Sequence, residues 1–287
     1  MSARLGEHLG EMLLQLSDRG PDSAGIAVYR DPAPEGSCKV SLHSFDPAED
    51  WDGVSAALAG AFGAGAPQRR GSHAVVRVDT DAATAQRWLE EHLPRLRVMS
   101  AGAAIEIYKE AGPPRDFVER FSLADMQGSH ALGHTRMATE SRVTTEHSHP
   151  FSTGLDLCLV HNGSLSNHND LRRRLRAEGI TFQTDNDTEV AAGYLTWRLR
   201  EGASLEAALE GCLEDLDGFY TFAVGTLDGF AVLRDPIACK PAVMAETDEW
   251  VAMASEYRAI SVLPGAADAV QWEPEPGRVY SWDRVAV

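Results

Sequence analysis

The sequence predicts an α+β protein whose antiparallel sheets lie between helical layers. Three observations carry this. Short β-branched and aromatic runs are separated by tight turns, helical-period stretches are grouped between those runs, and the last third is rich in strands around the Asp-Gly turn signal Leu227-Asp228-Gly229. A chain of 287 residues with 44% hydrophobic residues can bury a substantial core. We read it as a single domain over residues 1–287 with an inserted subdomain at about 67–126.

In chain order, Leu5, Leu9, Met12, Leu13 and Leu16 recur at helical spacing and predict an amphipathic opening helix. Arg19 to Gly25 reads as a turn, because Gly20, Pro21, Asp22 and Gly25 favour turn geometries. Residues 26–29 and 38–45 suit strands, 48–64 a helix, 73–78 a strand, 82–92 a helix, and 95–99 and 104–109 two more strands. A short helix is expected at 116–121. Strands at 130–134 and 155–160 precede helices at 171–178, 188–200 and 205–213, with the carboxylate of Asp187 suited to a helix N-terminus. A hairpin over 219–234 and strands at 243–245, 250–254 and 279–282 complete the chain.

A net charge of −17 lacks the basic footprint of a general nucleic-acid binder and disfavours docking on an anionic membrane. No apolar run reaches transmembrane length, and the first residues show no signal-peptide core. Cys38, Cys158, Cys212 and Cys239 form no Cys-x-x-Cys pair, so neither a zinc site nor a disulfide framework is supported, and a reducing cytoplasm is the expected location. Six of the ten histidines fall between 130 and 168. His147-x-His149 on a strand would present both rings to one face, yet no metal-site pattern accompanies it, and no metal is expected.

Four dense segments carry the chemistry: Arg19-Gly20-Pro21-Asp22-Ser23-Ala24-Gly25, His134-Thr135-Arg136-Met137-Ala138-Thr139, His161-Asn162-Gly163 with Asn167 nearby, and Thr184-Asp185-Asn186-Asp187-Thr188-Glu189-Val190. In this order they resemble the class II glutamine amidotransferase domain, a member of the N-terminal nucleophile hydrolases. Within that family the chain most resembles the amidotransferase subunit of glutamate synthase-like and N-methylglutamate synthase complexes. The resemblance runs from about Leu9 to Trp282 and implies a four-layer αββα sandwich. It further implies L-glutamine as substrate, hydrolysed to glutamate and ammonia for a partner synthase subunit that would carry any flavin or iron–sulfur chemistry. No cofactor site is expected in this chain.

Residue by residue, Arg136 offers a planar fork for an α-carboxylate. Thr139 would add a hydroxyl to it, and Asp187 would face the α-ammonium group. Asn162 and Gly163 suit an oxyanion hole formed by a side-chain amide and a backbone N–H. Arg19 and Gly20 match positions the family places against its nucleophile. Met137 and Glu140 depart from the family's usual tryptophan and histidine.

The family's nucleophile is a cysteine made N-terminal by loss of the initiator methionine, with its own amine as base. Here Ser2 follows Met1 and the sequence opens in a helix; the run to Arg19 is too short for strand, linker and helix, and Ser2 is rejected. The expectation is a start upstream of Met1. The rivals are a non-catalytic glutamine-binding or assembly subunit and, more distantly, an amidohydrolase with another amide substrate.

Overall fold

The computed structural model describes residues 2–138 and 142–284. Helix α1 (Leu5–Gln15) leads into strand β1 (Ser23–Tyr29), which is buried along its whole length. The period-2 alternation of a strand sorts its side chains: Ala24, Ile26 and Val28 pack toward α1 and α4 (Pro114–Arg120), whereas Ala27 and Tyr29 enter a second core on the opposite face. Strand β1 is the centre of a three-stranded antiparallel sheet, flanked by β6 (Ile105–Ala111) and β7 (His130–Arg136).

The second central sheet has the order β14-β10-β9-β8, formed by β8 (Cys158–Leu165), β9 (Gly218–Thr226), β10 (Gly229–Arg234) and β14 (Val279–Asp283). Cys158, Val160 and Ala223 face the β1 sheet. Leu159, Leu165, Tyr220, Phe222 and Val224 face helices α5 (His168–Ala177), α6 (Asp187–Arg200) and α7 (Leu205–Asp215). The layers therefore run helix, sheet, sheet, helix: the αββα sandwich that the motif resemblance implied.

Two smaller units flank the sandwich. Strand β2 (Cys38–His43), α2 (Trp51–Phe62), β3 (Gln68–Arg70), β4 (His73–Val78), α3 (Ala82–His92) and β5 (Arg97–Gly102) form a β-α-β-β-α-β unit with sheet order β3-β4-β2-β5 and its own core. It spans 38–102 and so shares residues 67–102 with the segment singled out in the sequence. Strands β11 (Val243–Glu246), β12 (Val251–Ala254) and β13 (Val270–Trp272) make a three-stranded sheet beside the short helix α8 (Tyr257–Ile260), against which α1 also packs. Among the described residues, no helix is long and apolar enough to cross a membrane.

Candidate active site

The turn after α1 fixes the end of β7. Gly20 lies flat on that strand: a Cβ there would come within 2.3 Å of the Thr135 carbonyl carbon and 2.4 Å of the Arg136 nitrogen. Asp22 donates its N–H to the Arg136 carbonyl at 3.0 Å and accepts the Ala138 N–H on its carboxylate at 2.8 Å. Arg136, the last residue of β7, is thereby held with its side chain buried, and its Nη1 donates to the Arg142 carbonyl at 3.2 Å. Burial pushes its pKa down, while the charges of Asp22 and Asp187 act to raise it.

On β8, Asn162 and Gly163 stand opposite Thr221 and Tyr220 of β9. Gly163 has φ of +150°, and an added Cβ would come to 2.0 Å from the Phe219 carbonyl oxygen, so this position requires glycine. At the end of β8, Leu165 donates its N–H to Asp187 Oδ2 at 3.0 Å. The N-cap of α6 is Asn186, whose side chain accepts the Thr188 N–H at 2.8 Å. This leaves the Asp187 carboxylate in the first helical turn, where the N-terminal dipole favours negative charge.

The loop before α6 is clamped twice. Glu189 accepts the N–H groups of Gln183 and Thr184 at 2.7 and 2.8 Å and the Thr184 hydroxyl at 2.7 Å. Arg172 donates to the carbonyls of Thr184 and Asn186.

Beside Arg136 and Asp187 lies a cluster of histidines, His149 and His161 buried and His134 partly so, that sequence reasoning did not assemble. The rings of His134 and His149 lie 4.1 Å apart. The Thr188 hydroxyl is 2.8 Å from His149 Nε2, 3.1 Å from His161 Nδ1 and 3.4 Å from Asp187 Oδ1. Burial pushes the pKa values of His134 and His161 down to about 4 and that of His149 well below the ordinary histidine value. One nitrogen of each ring, His134 Nδ1, His149 Nδ1 and His161 Nε2, has no hydrogen-bond partner in the protein, and all three residues line the cavity that these elements enclose. The strand expected to present His147 and His149 on one face is instead a turn. There His147 Nε2 reaches Asp185 at 2.8 Å, away from the Thr188 contact of His149. Among the described residues no group of three or more His, Cys, Asp or Glu is arranged to hold a metal. The signal for the cluster was the crowding of histidines between 130 and 168.

These elements enclose a cavity of about 1140 Å³. Arg19, Arg136, Asn162, Gly163 and Asp187 all line it, with Gly20 just behind Arg136. Arg19 donates to Glu256 at 2.6 Å, which ties the turn after α1 to the start of α8. Thr139 and Glu140 lie outside the described residues, and Met137, at the cavity rim, is exposed. Leu5, Leu9 and Met12 of α1 and the residues of β12 line the cavity as well. Cys38, Cys158 and Cys212 are buried and Cys239 is exposed; none of the four lines the cavity. Burial raises the Cys38 thiol to about 12 and the Cys158 thiol to about 11.

The fold superposes on glutamine phosphoribosylpyrophosphate amidotransferase from B. subtilis with a TM-score of 0.62, covering 97% of this chain and 44% of that one at 21% identity. The two proteins thus share the αββα sandwich architecture. Residues 134–262 match the family described as glutamine amidotransferase domain. Over 99% of its length the chain is 55% identical to the glutamine amidotransferase-like protein GlxB of Rhizobium meliloti, of which the match covers 94%. It is also 33% identical to the amidophosphoribosyltransferase of Archaeoglobus fulgidus over 61% of this chain and 36% of that protein. The chain belongs to the glutamine amidotransferase-like family.

Proposed function

We propose that this protein binds L-glutamine in the cavity and serves as the glutaminase unit of a cytoplasmic, glutamate synthase-like complex, passing ammonia to a partner synthase subunit. One observation carries the reading: a buried guanidinium, Arg136, and a carboxylate, Asp187, face one cavity that Asn162 and Gly163 also line. An α-amino acid needs that pairing at its head group, and a γ-carboxamide needs hydrogen-bond donors where charge develops on its oxygen. Thr139 would join Arg136 on the carboxylate, and Arg19 with Gly20 would stand beside the attacking group. Hydrolysis by the resembled family's mechanism would need a thiol next to Asn162, and Cys38, Cys158, Cys212 and Cys239 do not line the cavity. These residues alone are therefore expected to bind without turning over. That same observation favours the second reading, a non-catalytic glutamine-binding or assembly subunit.

Calorimetry with L-glutamine tests the pocket. Arg136→Ala should weaken binding about 100-fold or more, the scale of losing a bidentate charged pair, and unchanged affinity would remove Arg136 from the site. Glutaminase assays on a form extended by any in-frame Met-Cys-Gly encoded upstream of Met1 separate the two readings; no ammonia release from such a form would favour the binding subunit.

A further inference from the structure

Lys109 sits on β6, buried, and does not line the cavity. Its ammonium donates to three backbone carbonyls of one loop: Glu146 at 3.1 Å, Ser148 at 2.9 Å and Pro150 at 3.3 Å. It also lies 4.4 Å from the centre of the Phe151 ring. The neighbouring strand leaves room for this arrangement, since a Cβ on Gly25 would come within 2.1 Å of the His149 carbonyl and 2.6 Å of Lys109 Cβ. The loop that the ammonium gathers carries His147 and His149. His147 Nε2 reaches Asp185 at 2.8 Å and His149 Nε2 reaches Thr188 at 2.8 Å. These two contacts bracket Asp187, two residues after the first and one before the second. A protonated amine has three donors and finds three acceptors here; a neutral amine would leave one carbonyl without a hydrogen bond.

We infer that Lys109 is a positioning residue: its ammonium, acting through residues 146–150 and the rings of His147 and His149, fixes where Asp187 stands for the substrate's α-ammonium group. The inference rests on the glutamine-binding reading given above. Burial lowers the Lys109 pKa to about 8, opposed by the carboxylates of Glu189 on α6 and Glu146 in the loop. His43, His73 and His149 are the other titratable groups that feel its charge. Those three rings are already neutral at pH 7, whereas the lysine changes charge as pH rises from there through 8.

Calorimetry with L-glutamine on the full chain is the test. Wild-type binding at pH 7 checks the pocket itself, and its absence would sink the glutamine reading rather than the role of Lys109. Given binding, Lys109→Met should weaken it about tenfold, the scale of one charge-assisted hydrogen bond lost at the carboxylate. Wild-type affinity should fall about threefold between roughly pH 7 and 8.5, and Lys109→Met should lose that dependence. His147→Ala, outside the cavity wall, should also weaken binding, and adding it to Lys109→Met should cost less than the product of the two separate losses. Equal affinity in Lys109→Met, multiplicative losses in the double variant, or a wild-type affinity flat with pH would overturn the inference. Should Lys109→Met fail to fold, as judged by its thermal transition, His147→Ala and the wild-type pH profile decide: no change in either overturns it.

Discussion

Acid should unfold this protein through its histidines. Burial lowers the pKa values of six rings: those of His43, His130, His134 and His161 to about 4, and those of His73 and His149 well below the ordinary value of 6.5. A ring depressed in the folded state binds its proton more readily in the unfolded chain. Its contribution is therefore complete above the unfolded pKa of 6.5 and is lost as pH falls from there toward 4. At pH 5 each of the four rings held at about 4 favours unfolding by about 2 kcal/mol, rising to roughly 3 kcal/mol below its folded value. These four together reach about 8 kcal/mol at pH 5, with His73 and His149 acting in the same direction, comparable with the roughly 5–15 kcal/mol that holds a typical domain together. Urea denaturation followed by tryptophan fluorescence at pH 7.5, 6 and 5 reads this directly. The midpoint should fall steeply below pH 6, with the native baseline gone near pH 5. A midpoint that moves by less than its error between pH 7.5 and 5 would show that these rings are not held neutral by burial.

Two substitutions probe the site from other directions. Gly163→Ala drives a methyl group to 2.0 Å from the Phe219 carbonyl and 2.8 Å from Tyr220 Cα, backbone that can yield only by breaking the β8–β9 ladder. It should cost about 2–4 kcal/mol, seen by calorimetry as a fall of roughly 5–10 °C in Tm, and an unchanged Tm would mean the strand relaxes freely there. Asp187→Asn keeps an acceptor for the Leu165 N–H but removes the charge. Glutamine should bind about tenfold or more weakly while the urea midpoint moves little; retained affinity would take Asp187 out of the ammonium site.

What the sequence made legible followed from local chemistry. Strand β1 is buried on both faces, so Ile26 to Tyr29 reads as an unbroken apolar run. The turn Gly20-Pro21-Asp22 announces itself by residue type, and the four motif segments border one cavity. Long-range causes stayed hidden. Gln68-Arg69-Arg70 is polar and exposed and reads as part of a linker; it is a strand because it pairs with β4. Lys109 in Ile105-Glu106-Ile107-Tyr108-Lys109 falls by alternation on the face of Ile105 and Ile107, yet the local sequence offers its ammonium no partner there. It points inward because its acceptors come from residues 37 to 41 positions away. The histidine cluster is likewise a product of packing, since His134, His149 and His161 come from a strand, a turn and another strand.

The two halves of the proposed reaction stand differently in this molecule. The head-group half is ordered before any substrate arrives: the Arg142 carbonyl and the Asp22 carboxylate hold and face Arg136, while the Leu165 N–H and the clamped loop fix Asp187. Little ordering entropy would remain to be spent on binding, as preorganised sites require. The attacking half must bring sulfur within about 3–3.5 Å of a carbonyl carbon whose oxygen lies at Asn162 and Gly163. Cys158 shares the strand and even the face of Asn162, but four residues of extended chain separate them by about 13 Å. Its thiol is turned to Tyr29 Oη at 3.5 Å in the core between the sheets. A cysteine on the right strand and the right face is thus still a packing residue, and none of the four cysteines lines the cavity.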